Sequence, residues 1–178
     1  METLMSRRKH ADWQAEIYDK HAGWIAGTRP YMSVGDGWAD VVSRLFDRIS
    51  QALAGEPPST KIVIIDIKEK YGELRVEILA PVGPETEAAI DQAILLAELR
   101  SECTCDACGA PGRMRSTLGQ SAWLAVTCDD HQSGYPRTVG ERSPKRRIKD
   151  RFGVFEITYD RAADSITKTR VAGRREAE

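Results

Sequence analysis

Apolar residues recur at helical spacing in three stretches of the chain, each bounded by residues that start or stop helices. The clearest stretch begins at Asp36, which suits an N-cap position, and ends at Gly55, which two prolines follow. Its apolar stripe consists of Trp38, Val41, Val42, Leu45, Phe46, Ile49 and Leu53. The same spacing predicts a first helix over roughly 11–26 and a third over roughly 85–101.

Two other stretches are rich in β-branched residues and alternate between apolar and polar positions. The runs 61–68 and 73–79 flank a Tyr-Gly pair and predict two strands joined as a hairpin. Nearer the C-terminus, alternation around Ile157 ahead of a turn predicts a second hairpin over 152–173.

Cysteine and histidine spacing adds candidate chemistry between these elements. Cys105 and Cys108 form a CxxC pair, Cys128 and His131 form a CxxH pair, and nineteen residues separate the two pairs. Two such pairs supply the four ligands of a tetrahedral Zn²⁺, and four protein ligands leave no open position for a reacting water. The spacing therefore predicts structural zinc, with a redox role or unligated thiols as the alternatives. Cys103 is more simply explained as a free thiol beside the site.

These elements predict an α+β fold in which three helices pack on a short antiparallel sheet. A zinc-ribbon or treble-clef-like module and a C-terminal hairpin would follow. The predicted segments are a helical and hairpin core over 1–101, a zinc-binding module over 102–136, a basic linker over 137–151 and the C-terminal β-hairpin over 152–173.

Composition and charge narrow the function classes only slightly. With 41% hydrophobic and 30% charged residues, the chain has the composition of a globular protein. Its formal net charge of −1 gives no overall attraction to nucleic acid or an anionic membrane, so such binding would need a local patch. No stretch approaches the roughly 18 apolar residues of a membrane span, so we expect no membrane association and a cytoplasmic location.

Three motifs taken together resemble a widespread, mostly uncharacterised family of small phage and prophage proteins. They are "GDGW" at 35–38, "IKEKYGELR" at 67–75 and "CDACGAPGRMR…WLAVTCDDH" at 105–131, and the resemblance spans roughly 12–131. It implies a phage accessory protein in the cytosol of a bacterial host, and it implies no particular activity. This chain departs from the family pattern at Tyr71, usually Phe, at Glu73, usually Gly, and in its long extension after His131.

The second motif is a candidate recognition surface. Tyr71 would be its aromatic anchor and Arg75 a forked donor to a carboxylate or phosphate. The full predicted surface consists of Lys68, Lys70, Tyr71 and Arg75. The alternative is a solvated turn whose charges pair across the strands.

Basic residues after the second motif are candidate phosphate contacts. The zinc module contributes Arg113 and Arg115, and the segment 142–151 contributes Lys145, Arg146, Arg147 and Lys149. The alternative for this segment is a solvated linker.

The sequence favours a binding protein over an enzyme. We find no nucleophile with a base, no paired carboxylates and no phosphate-binding glycine loop. The first hypothesis is a protein partner, such as a host or defence component, with zinc purely structural. Nucleic-acid binding through the zinc module and the basic segment is the second, and a metal-dependent enzyme such as a nuclease is the last. The oligomeric state is left open.

Overall fold

The structure is a computed structural model that describes residues 13–119, 122–139, 144–150 and 153–171. Helix α1 covers residues 13–20, α2 covers Ala39–Ala52 and α3 covers Pro84–Ser101. Short 3₁₀ helices lie at Asp36–Trp38, Leu53–Gly55 and Asp129–His131. The strands are β1 (Ile25–Ala26), β2 (Ile62–Lys70), β3 (Glu73–Leu79), β4 (Arg113–Ser116), β5 (Leu124–Thr127), β6 (Arg137–Thr138), β7 (Lys145–Asp150), β8 (Gly153–Asp160) and β9 (Ser165–Arg170).

These elements confirm the predicted α+β class. The strands form three three-stranded sheets with the orders β1-β2-β3, β5-β4-β6 and β7-β8-β9. Helices α2 and α3 have nearly the predicted bounds. None of the helices in the described part of the chain is long and apolar enough to cross a membrane.

The first helix ends earlier than predicted. Its residues up to 20 are helical, but Ile25–Ala26 form β1, which pairs in parallel with β2. The amide of Ile62 donates to the carbonyl of Trp24 at 2.8 Å, so the end of this segment is held by the sheet. Tertiary pairing therefore overrides the helical spacing here, and residues 11 and 12 lie outside the described part of the chain.

The main core lies between the first sheet and helices α2 and α3. Strands β2 and β3 form the predicted antiparallel hairpin, whose turn places Tyr71 at φ 58° and Gly72 at φ 80°. Alternate positions of these strands point inward and meet the apolar stripe of α2. The largest fully buried members of this core are Trp38, Phe46, Met32, Leu45, Ile49, Ile62, Ile67, Leu74 and Val41.

The C-terminal sheet contains one strand more than the predicted hairpin. Strands β8 and β9 fall within the predicted range, but Lys145–Asp150 form β7 instead of a solvated linker. Alternation explains the difference, because Arg146 and Ile148 are half-buried, whereas the alternate residues Lys145, Arg147 and Lys149 are exposed. This two-residue alternation was not apparent in the sequence, because most residues of the strand are basic.

An apolar cluster and a buried carboxylate dock the C-terminal sheet on the helices. Ile157 and Tyr159 of β8 pack against Leu99 of α3 and the thiol-bearing Cys103. Beside this cluster, Asp164 accepts a hydrogen bond from the Tyr159 hydroxyl at 2.6 Å. The same side chain pairs with guanidinium groups of α2 and α3, which belong to Arg44, Arg48 and Arg100.

Replacing Asp164 with Asn should reduce the free energy of unfolding by about 3 kcal/mol, because it removes the counter-charge of Arg48 and one of the two carboxylates that pair with Arg100. Asn also tolerates the left-handed backbone at this position, where φ is 50°. The check is chemical denaturation of both proteins. Asp19→Asn is the control, since it removes only the exposed pair with Arg29 and should cost less than about 1 kcal/mol. Equal costs for both variants would contradict this account.

The same carboxylate should make stability depend on acid pH. Burial alone would raise the pKa of Asp164, but the hydrogen bond from Tyr159 and the charges of Arg48 and Arg100 outweigh it and lower the pKa. A lowered folded-state pKa stabilises the protein above the unfolded-state pKa, and the benefit disappears as the pH falls through the folded value. The stability difference between wild type and Asp164→Asn should therefore shrink below about pH 4. Any pH dependence of metal binding is shared by both proteins and cancels in this difference.

Candidate metal centre

The two predicted ligand pairs meet in one group. The ligand atoms of Cys105, Cys108, Cys128 and His131 all lie within 4.8 Å of one another. Cys105 and Cys128 are buried, whereas Cys108 and His131 are exposed, so the group lies at the edge of the fold. Three thiols and one imidazole in this arrangement can hold a metal ion.

The separations within the group fit a tetrahedral ion. The sulfurs of Cys108 and Cys128 are 3.7 Å apart, and His131 Nδ1 lies 3.8 Å from the sulfur of Cys105 and 3.2 Å from that of Cys128. Zinc–sulfur bonds of about 2.3 Å in a tetrahedron separate two sulfurs by about 3.8 Å. The residues therefore fit zinc in both chemistry and spacing.

Tight backbone turns hold the first ligand pair. The Gly109 amide donates to the Cys105 carbonyl at 2.9 Å, and the Cys105 amide donates to the Ala110 carbonyl at 2.8 Å. Gly109 has φ 78°, a conformation that glycine adopts without steric cost. The CxxCG sequence thus folds locally into a loop that aims both sulfurs at the same point.

The GDGW motif packs directly against that loop. The Gly37 amide donates to the Asp106 carbonyl at 2.8 Å, and the Trp38 indole N–H donates to the Thr104 carbonyl at 2.8 Å. A Cβ on Gly37 would stand 2.2 Å from the Cys105 carbonyl oxygen and 2.6 Å from the Cys108 amide nitrogen. Glycine is required there because the two backbones touch.

The second ligand pair follows a strand of the small middle sheet. Strand β5 pairs antiparallel with β4, and Cys128 directly follows it beside the first ligand pair. The 3₁₀ turn Asp129–His131 then places the His131 imidazole next to the three sulfurs. The hydrogen bond with His131 lowers the pKa of the Cys128 thiol to about 7. This hydrogen bond shifts the Cys128 thiol toward the thiolate, the form that binds metal.

Cys103 stands apart from the ligand group. Its side chain is 1% exposed, and its thiol donates to the carbonyls of Leu99 and Arg100 in α3. Burial raises the pKa of the Cys103 thiol to about 11, so it stays protonated at neutral pH. Its position agrees with the free thiol expected from the sequence.

The hairpin residues predicted as a recognition surface divide between two environments. Arg75 is bound within the protein, 2.5 Å from Glu73 and 3.6 Å from Glu98, and Lys68 pairs with Asp66. These pairs lie within a single strand or reach α3, so they are not the cross-strand pairs of the solvated-turn alternative.

At the tip of the hairpin the side chains remain available. Tyr71 is 69% exposed, and the Lys70 ammonium lies over its ring, 5.6 Å from the centroid. The structure therefore leaves the aromatic part of the predicted surface open.

The basic residues of the middle sheet face a carboxylate. Arg115 is buried and donates to Asp129 at 2.5 Å and to the Thr138 hydroxyl at 3.3 Å, and Arg113 reaches the same Asp129 oxygen at 3.4 Å. Arg115 is therefore part of the protein's own framework and not free to contact phosphate.

Arg146 is also bound within the protein. Its guanidinium donates to Glu98 at 2.6 Å and to Glu102 at 3.0 Å, and it lies 3.3 Å from Glu73. Burial is the main cause of a raised pKa at Glu102, and the negative charges of Glu73 and Glu98 raise it further. The nearby Arg146 cation opposes this shift without cancelling it. The group joins β7 to α3 and to the hairpin of the first sheet.

The remaining three basic candidates lie on the opposite face of β7. Lys145, Arg147 and Lys149 are exposed and occupy alternate positions of the strand, so they form one row. Within the described residues none of the three has an ion-pair partner, although Arg147 stands opposite Glu156 in the strand register.

Trp123 lies on the surface. The tryptophans of this chain fall on apolar faces or next to the candidate ligands, which predicts core packing for them, but Trp123 is 74% exposed. It lies at the start of β5 and lines a groove with the hairpin tip. Its only sequence signal was the polar and small neighbours that precede it.

Comparisons with models of protein families, with curated proteins and with solved structures give no match to this chain. The resemblance to the phage family stays a prediction.

The metal group predicts one ion per native chain, measured by native mass spectrometry with elemental analysis. Cys108→Ser should weaken metal affinity by more than the roughly 100-fold typical of outer-shell changes, because it removes a ligand. Stripping the ion with a chelator should unfold at least the module around residues 105–131. Cys103→Ser is the matched control and should bind the ion normally; equal loss in both variants would contradict the assignment.

Gly37→Ala should destabilise the protein by about 2–3 kcal/mol, because backbone atoms of the ligand loop must move to admit a methyl group. The same movement should weaken metal affinity, which a competing chelator measures. Gly55→Ala is the control, since nothing lies within 4 Å of its added Cβ. The proposed contact is wrong if both variants behave alike.

Proposed function

We propose that this chain is a small phage-type accessory protein that binds another protein, with Zn²⁺ held by Cys105, Cys108, Cys128 and His131 in a structural role. Four protein ligands complete a tetrahedral shell, which favours a stabilising ion over a catalytic one. The exposed aromatic groove between the hairpin tip and the metal-binding module is the observation that carries the proposal.

This groove has the features of a binding surface. It has a volume of about 450 Å³ and is lined by Glu69, Lys70, Tyr71, Ala122, Trp123 and Leu124. Tyr and Trp dominate the binding energy of many interfaces, because each buries a large area with few rotatable bonds. The rings of Tyr71 and Trp123 come from separate elements, line the same groove and are mostly exposed. Together they form an apolar patch that no other part of the described chain covers.

The charges at the groove favour one type of partner segment. Glu69 is engaged, because one of its carboxylate oxygens accepts a hydrogen bond from the Gly72 amide at 2.6 Å. Lys70 stands over the Tyr71 ring and presents its ammonium beside the groove. We therefore propose a protein segment that inserts an apolar side chain between the rings and places a carboxylate near Lys70.

Trp123→Ala and Tyr71→Asn should each weaken partner binding by about 30-fold, as expected for central aromatic anchors. Asn is used at position 71 because it accepts the left-handed backbone there. Quantitative affinity purification from bacterial cells measures the effect, with thermal unfolding confirming that both variants fold. Tyr31→Ala is the matched control, since Tyr31 is 64% exposed and does not line the groove.

Support requires a protein that is retained by wild type and Tyr31→Ala and is lost from both groove variants. If the groove variants retain the same protein as strongly as the wild type does, the groove is not its binding site. If no protein shows the pattern in several hosts, protein binding through this surface is wrong.

The row Lys145, Arg147 and Lys149 supports nucleic-acid binding as a second candidate function. Alternate residues of a strand are about 6.8 Å apart, a distance over which successive phosphates of an extended strand can be contacted. This candidate no longer includes Arg115 and Arg146, which carboxylates hold.

Replacing all three residues of the row with Gln should reduce the slope of log affinity against log salt by about 2 for a single strand. Fluorescence anisotropy with labelled RNA and DNA oligonucleotides measures the slope. The combined variant Lys20→Gln, Arg29→Gln and Lys61→Gln, which removes three exposed positive charges elsewhere, controls for net charge. Absent binding, or an unchanged slope, removes the candidate.

A further inference from the structure

A second cavity lies where the metal-binding module meets the C-terminal sheet. It has a volume of about 340 Å³, and its walls come from the loop before β4, from the end of β5 and from the turn between β8 and β9. Its polar lining consists of Cys103, Arg113, Thr127, Cys128, Asp129 and Arg161. The aromatic groove at Tyr71 and Trp123 shares none of these residues.

One wall of the cavity carries a polar atom without a partner. Thr127 is 4% exposed, and its Oγ1 has no hydrogen-bond partner within the described residues. Buried polar groups nearly always have a partner, so the Thr127 hydroxyl indicates a bound species that accepts a hydrogen bond from it.

Two guanidinium groups on different elements line the same cavity. Arg161 donates Nε–H to the Thr104 hydroxyl at 3.3 Å and Nη2–H to the Gly109 carbonyl at 2.9 Å, which fixes its plane and leaves Nη1 available. Arg113 makes only a long contact of 3.4 Å to Asp129. A fixed guanidinium such as that of Arg161 matches the oxygens of an anion, and Arg113 supplies a second, less constrained donor.

Among the residues that line the cavity, the cations outnumber the carboxylates. Arg113 and Arg161 stand against the single carboxylate of Asp129. A divalent ion with three thiolates adds one negative charge, so an anion would be held by directed guanidinium donors and not by net charge.

We propose that this cavity binds the phosphoryl group of a small phosphate monoester. Two guanidinium groups and the Thr127 hydroxyl supply three separate donors, which suits the three terminal oxygens of a phosphate better than the two of a carboxylate. The volume exceeds that of the phosphoryl group, and Pro111 and Ala162 provide an apolar wall for the organic part.

Isothermal titration of the purified full chain tests the proposal with three probes, which are ribose 5-phosphate, ribose and orthophosphate. Ribose 5-phosphate should bind saturably at one site per chain, and ribose should not bind. Tighter binding of ribose 5-phosphate than of orthophosphate identifies a monoester site, whereas equal binding supports a site for the phosphoryl group and overturns the role of the apolar wall.

Two variants locate the binding. Thr127→Val has the same shape and should weaken ribose 5-phosphate binding about fivefold, while the free protein stays as stable or becomes more stable because an unpaired hydroxyl is removed. Arg113→Gln should weaken it about tenfold or more, through loss of a charged donor. Arg137→Gln, in the same small sheet but outside the cavity, should leave it unchanged.

Some results would overturn the proposal. No saturable binding up to about 10 mM ligand would mean that water satisfies the Thr127 hydroxyl and that the cavity is not a phosphate site. Binding that Thr127→Val and Arg113→Gln leave intact would place the anion elsewhere. A loss with Arg137→Gln as large as with Arg113→Gln would indicate general charge attraction.

Discussion

The direct contact between two backbones, at Gly37 and at the Cys105–Cys108 loop, is the constraint on which the rest of the structure depends. No side chain separates them, and the Gly37 amide is hydrogen-bonded to Asp106. Trp38, the next residue, is fully buried and begins the packing of α2 into the main core. The ligand loop and the main core therefore share one rigid junction, and an ion bound by the loop would stabilise both.

The C-terminal residues extend this arrangement through charge as well as packing. Arg146 of β7 neutralises a group of carboxylates on α3 and β3, while Asp164 neutralises guanidinium groups on α2 and α3. Position 73, where the resemblance leads one to expect Gly, holds one of the carboxylates that Arg146 contacts. Glu73 and strand β7 are thus physically linked, because Glu73 supplies one of the partners of Arg146.

Much of the local structure could be predicted because it depends on residues that are close in sequence. The apolar stripe of α2, the Tyr71-Gly72 turn and the two ligand pairs each carry their own periodicity or spacing. The predictions failed where distant segments compete. Ile25–Ala26 joined a sheet instead of a helix, and β7 formed in a stretch whose charges suggested a solvated linker. Trp123 was misplaced because exposure depends on what the rest of the chain covers.

By itself, the sequence determined the α+β class, the hairpin and the four candidate ligands, because periodicity and spacing are properties of neighbouring residues. Only the tertiary structure decided which basic residues stay free. Arg115 and Arg146 meet carboxylates from other segments, whereas the row on β7 and the aromatic pair at Tyr71 and Trp123 face outward. Pairing and exposure arise from contacts between segments far apart in the chain, and no local pattern encodes them.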